Sequence, residues 1–400
     1  MKKILLLGGS RYILPVIESI HNLGHYAITC DYLPGNIAHK YSDEYHNVSI
    51  IEKDKVLALA QELKIDGIMS FACDPGVDVA AYVAEVMRLP YAGSYEAVSI
   101  LQNKAMFRQF LTDHGFNVPK AKGYNSASEA IADANQFCWP VIVKPVDSAG
   151  SKGVTRVDRV EDLKDSAEYA IKYSKTGRFI VEEFIEQRGY ASDTDCFSID
   201  GELVFTSFSN QYFDKNATNP YTPSAYSWPS TMPVEIQAEL RTELHRLMTL
   251  LNLKTSIYNI ETRLGADGRA YIMEVSPRGG GNRLAEMLRY ASDIDLVTNA
   301  VRAAVGEEII GITGDPVYNG YWAEVILHAD SDGVYDDLWI DESIRSYVIE
   351  CDLWVQSGDT VRDFTGANEA VGTLVLRFDT DNQLNEAMNN IAKYVKVKTR

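Results

Sequence analysis

Glu261 and Glu274 are the side chains whose placement points most directly to chemistry. The first lies in Tyr258-Asn259-Ile260-Glu261-Thr262-Arg263, the second in Tyr271-Ile272-Met273-Glu274-Val275-Ser276-Pro277-Arg278-Gly279-Gly280-Gly281. Between them runs Leu264-Gly265-Ala266-Asp267-Gly268-Arg269, whose Asp-Gly pair is a hairpin turn signal. Two strands joined this way put Glu261 near Glu274 or Ser276 on one face. Two carboxylates and a small oxygen ligand then converge just before an arginine and three glycines. Hard oxygen ligands of this kind suit Mg²⁺ held partly by phosphates of a bound nucleotide. Taken alone, the segment also reads as a solvated acidic hairpin.

Other residues fit a nucleotide site. Lys144 closes the apolar run Trp139-Pro140-Val141-Ile142-Val143-Lys144-Pro145. A buried ammonium needs an anionic partner, and a phosphate would serve. Solvent at an edge strand would serve as well. The glycine-rich loop that follows, Asp147-Ser148-Ala149-Gly150-Ser151-Lys152-Gly153-Val154, frees backbone N–H groups to surround phosphate oxygens. It lacks the spacing of a Walker loop. Lys104, in Asn103-Lys104-Ala105-Met106, is by itself an ordinary surface lysine. Val181-Glu182-Glu183-Phe184-Ile185 is a strand end whose main chain could hold a purine, or a plain hairpin strand.

Elements must position these residues. Lys3–Leu7, the Gly8-Gly9-Ser10 turn, a helix over Arg11–Leu23 and a strand over Tyr26–Asp31 open an alternating pattern. It continues with helix Lys53–Leu63, strand Gly67–Ser70 and helix Gly76–Met87, the signature of a parallel α/β sheet. The Gly-x-Gly-x-x-Gly fingerprint is incomplete, which leaves a nicotinamide oxidoreductase as a weak alternative. Ser126-Ala127-Ser128-Glu129 is a capping box, and Asp158-Arg159-Val160-Glu161 starts another capped helix. Residues 209–233, rich in proline and tyrosine, read as a long loop that is either a lid or surface decoration. Short alternating strands at Tyr321–His328, Ser346–Val355 and Gly372–Phe378 precede a final helix near Asp381–Tyr394.

Composition narrows the partners. The chain has 400 residues, 46% of them hydrophobic, and a formal net charge of −18. That length predicts roughly two to three domains. The acidic balance disfavours nucleic-acid backbones and anionic membranes. Five scattered cysteines suggest neither zinc nor a disulfide framework, so a reducing compartment is expected. The apolar run after Lys3 ends at Gly8, too short for a signal peptide, and a cytoplasmic location is expected.

In chain order the residues are Lys104, Lys144, the glycine-rich loop, Glu-Glu-Phe-Ile, Glu261 and Glu274-x-Ser276-x-Arg278. This order and spacing resembles the ATP-grasp superfamily, in its single-chain carboxylate–amine ligases and carbamoyl-phosphate-synthase-like members. The resemblance implies an α/β fold: a Rossmann-like N-terminal parallel-sheet domain over 1–116, a lid over 117–182, a central domain over 183–309 and a small α+β module over 310–400. Lys104 and Lys144 match lysines that contact the α- and β-phosphates. Ser148, Gly150, Ser151 and Gly153 lie in the loop that closes over the triphosphate. Glu182, Glu183, Phe184 and Ile185 match the adenine hinge, with main-chain contacts from Glu183 and Ile185. Glu261 and Glu274 match the metal ligands. Ser276 stands where the family usually has asparagine; serine offers an oxygen there on a shorter side chain. Arg278 matches the arginine that meets the transferring phosphoryl group or the acyl phosphate.

The usual ribose glutamate is missing after the hinge. Asp193 or Asp195 are substitutes, with Asp195 aligning better with an acidic residue near the metal. Arg283 and Arg289, on the next helix, are candidates for a substrate carboxylate or ordinary surface arginines. The implied cofactors are ATP and Mg²⁺, with Mn²⁺ able to replace it. The implied reaction joins a small-molecule carboxylate to an amine through an acyl phosphate, releasing ADP and phosphate. A homodimer is expected. The alternative is a non-catalytic ATP-binding sensor or scaffold of the same fold.

Overall fold

The computed structural model describes residues 1–148 and 150–400. The N-terminal strands Lys3–Leu7, Tyr26–Cys30, Glu44–His46 and Gly67–Met69 form a parallel sheet. Near-continuous aliphatic runs in its inner strands explain why it is buried on both faces: Ile4, Leu5, Ile28 and Ile68 are all fully enclosed. The expected helix over Arg11–Leu23 begins with a 3₁₀ turn, Arg11–Ile13, and is regular only over Leu14–Asn22. Pro15 explains the late start, since proline fits the first turn of a helix and not its interior.

A second, antiparallel sheet carries strands Ala121–Tyr124, Phe179–Glu183, Val141–Pro145 and Thr155–Val157. Helices Ala127–Ala132 and Leu163–Tyr173 pack with it around Phe137, Leu163 and Phe179. Ser126 caps the first of these by accepting from the Glu129 backbone N–H, as its sequence predicts. The second starts later than predicted, after a 3₁₀ turn over Val160–Asp162, and has no side-chain cap.

The central sheet runs Glu202–Phe205, Ser192–Ile199, Ser256–Leu264 and Ala270–Ser276. Its last two strands are the predicted hairpin. Gly268 sits at the turn with a positive φ of 80°, which the Asp-Gly pair accommodates.

Residues 209–233 are not a structureless loop. Strands Asn210–Phe213 and Pro223–Trp228 form a hairpin that continues into Tyr321–Leu327, Gly372–Phe378 and Val348–Leu353, one antiparallel sheet of five strands. The prolines of this stretch fall at strand starts and in turns, and they mask its period-2 pattern. Strand Gly333–Ile340 pairs with Thr360–Val361 and Val395–Thr399 in a further small sheet. Val16, Ile17 and Ile20 of the first helix pack in one apolar cluster with Met287, Leu288, Val297, Val301 and Trp228, so the N-terminal and central units share a core. Among the described residues no helix is long and apolar enough to cross a membrane.

Candidate active site

The central hairpin brings together the carboxylates that its sequence places near each other. Glu261 faces Glu274 directly across the two strands, and Asn259 faces Ser276. On the neighbouring strand Asp193 lies beside Glu261 and Asp195 beside Asn259. Directly paired residues project to the same side of a sheet. One face therefore carries four acids, an amide and a hydroxyl. A bulge after Glu261 shifts the ladder by one residue and confines this alignment to the end of the hairpin nearest Arg278.

The three glycines let the chain fold back over that end. A Cβ on Gly279 would lie 2.2 Å from the Phe71 ring, and one on Gly280 would lie 2.8 Å from Asn259 Nδ2 and 3.0 Å from Asp195 Oδ1. Glycine at both positions permits this approach. It also brings the Gly280 N–H to Asp195 Oδ1 at 2.8 Å.

Cations surround the acidic face. Lys104 Nζ is 3.1 Å from Glu274 Oε2 and donates to the Ser148 carbonyl at 3.2 Å, touching the glycine-rich loop. Burial works against its charge, but Glu274 and Asp74 outweigh it and raise the Lys104 pKa. Lys144 and Arg108 both donate to the Glu182 carboxylate, with Arg108 Nε at 3.0 Å. Burial raises the Glu182 carboxyl, but the two cations more than reverse this and bring it down to about 2. Lys144 itself is pulled below the usual lysine range by burial, with Arg108 and Lys104 adding to the effect against Glu182. Two cations sharing one carboxylate, with a third close by, leave positive charge for an anion to neutralise.

Arg278 is 8% exposed and grips Asp74 with two parallel hydrogen bonds, Nε to Oδ1 and Nη2 to Oδ2, each 2.8 Å. Against the cost of burial, Arg278 holds the Asp74 carboxyl below its usual range. Ser276 Oγ donates to Asp74 Oδ1 at 3.1 Å and accepts from Gln102 Nε2 at 2.8 Å. Its hydroxyl is thus engaged within the chain.

The strand Phe179–Glu183 ends at the expected hinge. The backbone N–H groups of Glu183 and Phe184 donate to the Lys120 and Pro140 carbonyls at 2.9 and 3.0 Å. Ile185 follows the strand end. Gly150, Ser151 and Gly153 all have positive φ in the glycine-rich loop, and Ala149 lies outside the described residues. Ser151 Oγ donates to the Tyr221 carbonyl at 2.9 Å, which ties this loop to the turn between Asn210–Phe213 and Pro223–Trp228. Arg283 is bonded to Glu286, Glu350 and Thr373. Arg289 is 56% exposed and 3.8 Å from Asp295. A cavity of about 670 Å³, lined in part by Glu85, Asp200, Lys254 and Glu307, includes none of these residues.

Asp74, Gln102 and Arg108 carry no signal in the sequence. Each reaches the site from a distant element: Asp74 from the turn after Gly67–Met69, Arg108 from helix Lys104–Asp113 to the Met273 carbonyl at 2.8 Å. An arginine on an amphipathic helix is the one available hint, and exposed arginines share it.

Two hard carboxylates facing each other fit a divalent cation whose other ligands come from phosphate oxygens. Among the described residues no group of three or more His, Cys, Asp or Glu side chains gathers that could hold a metal by itself. The arrangement suits a polyanion carrying a cation, gripped between the lysines and the acidic face.

Burial raises the Asp195 carboxyl to about 7, and nearby Asp193 adds to it against the Gly280 N–H, Arg278 and Asn259. An unfolded aspartate loses its proton near pH ~4. Between there and about pH 7 the native chain holds the additional proton, so this residue's contribution to stability falls as pH rises through that window. Asp195→Asn keeps the acceptor for Gly280 and removes the titration. The variant is expected to melt higher than the wild type at pH ~8, with the gap closing near pH ~5, in thermal melts followed by circular dichroism. An equal gap at both values would show that Asp195 does not titrate in this way.

Residues 137–286 match the family model of the ATP-grasp domain. Over the whole chain the fold is similar to an L-amino acid ligase from Bacillus licheniformis, with a TM-score of 0.80, 19% identity and coverage of 100% of this chain and 99% of that one. It is similar to a phosphoribosylglycinamide synthetase from Anaerococcus prevotii, with a TM-score of 0.77, 19% identity and 100% coverage of both chains. It also resembles the biotin carboxylase domain of a 2-oxoglutarate carboxylase from Hydrogenobacter thermophilus, solved as a dimer with MgADP and bicarbonate, with a TM-score of 0.75, 15% identity and coverage of 100% and 91%. At these identities the likeness is one of fold.

Proposed function

We infer that this chain, which carries an ATP-grasp domain, is an ATP-dependent carboxylate–amine ligase. The observation that carries the reading is the register of Glu261 against Glu274, with Lys104 on Glu274 and Arg278 at the open end of the hairpin. In this reading Lys104 and Lys144 hold the nucleotide phosphates, and the loop containing Ser148, Gly150, Ser151 and Gly153 covers them. Glu183 and Ile185 present main chain to the purine. Glu261 and Glu274 would hold Mg²⁺, which when bound offsets phosphate charge.

The substrate carboxylate takes the γ-phosphoryl group of ATP, forming a carboxyl–phosphate bond as the bond to ADP breaks. The amine nitrogen then attacks the carbonyl carbon. The carbon–oxygen bond to phosphate breaks, phosphate leaves, and the nitrogen loses a proton. No side-chain nucleophile is needed. Catalysis consists of positioning and of charge neutralisation by Lys144 and Arg278.

Hydroxylamine tests this reading, because it intercepts an activated acid without the natural amine. With ATP, Mg²⁺ and a panel of small carboxylates, one hydroxamate and one ADP are expected per turnover. AMP and pyrophosphate would instead indicate an adenylate. Stabilisation by ATP with no hydroxamate from any carboxylate would favour a protein that binds nucleotide without ligating.

A further inference from the structure

Glu324 lies within strand Tyr321–Leu327, opposite Tyr226. It is fully buried, and neither carboxylate oxygen has a hydrogen-bond partner among the described residues. Burying such a group is costly unless something pairs with it. Burial drives its carboxyl well above the usual range; Arg283 opposes this, and Glu286 and Glu350 add to it.

The surroundings explain why the chain does not supply the partner. Arg283 is the guanidinium facing Glu324, and its donors go to Glu286, Glu350 and Thr373. Two carboxylates and a hydroxyl thus occupy the guanidinium whose charge acts on Glu324. Burial raises the Tyr12 hydroxyl's pKa, and the charge of Glu324 adds to it. Tyr12 donates to Asn282 Oδ1 at 3.2 Å, Asn282 Nδ2 donates to the Tyr226 hydroxyl at 3.3 Å, and Tyr226 donates to Asp193 Oδ2 at 3.0 Å. That chain of bonds runs from the neighbourhood of Glu324 to the acidic face beside Glu261.

We propose that Glu324 anchors the amine of the substrate beside Tyr226: it receives a primary ammonium and accepts one of its protons, leaving the neutral nitrogen whose lone pair attacks the acyl phosphate. The proposal rests on the ligase reading of the neighbouring face. A buried carboxylate with no bonded partner among the described residues, opposite a phenol across the sheet, suits an ammonium, which takes charge-assisted hydrogen bonds. It does not suit a divalent metal, which needs several oxygen ligands.

The test is thermal melting in the presence of ADP·Mg²⁺ with a panel of primary amines, amino acids and amino sugars among them. Each is compared with its fully N-acetylated form. At least one amine is expected to raise the melting temperature by about 2 °C or more, and its acetylated form to have no effect. Glu324→Gln is expected to weaken that amine at least tenfold, and Glu324→Asp to restore part of the response. Should Glu324→Gln not fold, the amine and amide pairs in the wild type still decide. An absence of any shift with ADP·Mg²⁺ alone in the wild type would overturn the ligase reading and this proposal with it. With the nucleotide shift present, three results overturn the amine site alone: no response to any amine, an equal response to acetylated forms, or a response kept intact by Glu324→Gln.

Discussion

Glu274→Gln is expected to lower turnover by on the order of 10²–10⁴-fold while the fold stays intact. The substitution preserves size and removes one of the two charges that face each other across the hairpin. The Glu274 side chain is 35% exposed and its ion-pair partner is Lys104. Losing a partly exposed pair of this kind costs at most about 1 kcal/mol. Lys104 keeps the Ser148 carbonyl as an acceptor and the nearby charge of Asp74. Melting should therefore barely move. The expected signature is a collapse of ADP release at saturating ATP, partly offset by raising Mg²⁺, with metal-free nucleotide binding retained in a filter or fluorescence assay. Near-normal turnover would remove the hairpin from the mechanism.

The hairpin is legible in the sequence because everything that fixes it is local. The Asp267-Gly268 turn sets the register, and the period of two decides which side chains share a face. The turn brings Glu261 near Glu274, but a regular ladder counted from it would set Glu261 opposite Met273; the bulge after Glu261, which the sequence does not signal, makes the pairing direct. The N-terminal parallel sheet is legible for a similar reason: buried aliphatic strands alternate with amphipathic helices. The stretch 209–233 is not legible. Its strands gain their stability from Tyr321–Leu327, about a hundred residues later in chain order, and prolines and tyrosines hide the alternation. The contacts of Asp74 and Arg108 are invisible for a related reason. Nothing in the residues around Asp74 encodes that it will meet Arg278. Asp195 stands differently: the sequence leaves it between the ribose and the metal side, and its register beside Asn259 puts it on the acidic face.

Arg278→Ala is expected to remove both stability and chemistry, and the two losses can be separated. Arg278 and Asp74 form a buried bidentate pair between the central hairpin and the turn that follows the N-terminal strand Gly67–Met69. Truncating the arginine leaves the Asp74 carboxylate without its main partner, which typically costs about 3–5 kcal/mol. Asp74 retains the Ser276 hydroxyl, a far weaker compensation. Adding Asp74→Ala to Arg278→Ala removes the stranded charge, and a double variant of this kind is expected to regain much of the lost stability. Turnover should not return with it. If Arg278 meets charge on the transferring phosphoryl group, no repair of the pair replaces the guanidinium, and the loss should be on the order of 10²–10³-fold or more. Urea denaturation and hydroxamate formation, measured on the wild type, both single variants and the double variant, distinguish the cases. A double variant that recovers stability and activity together would make Arg278 a strut between the central hairpin and the turn that holds Asp74, and nothing more. Recovery of stability alone places the arginine in the phosphoryl transfer itself, with Asp74 as the residue that aims it.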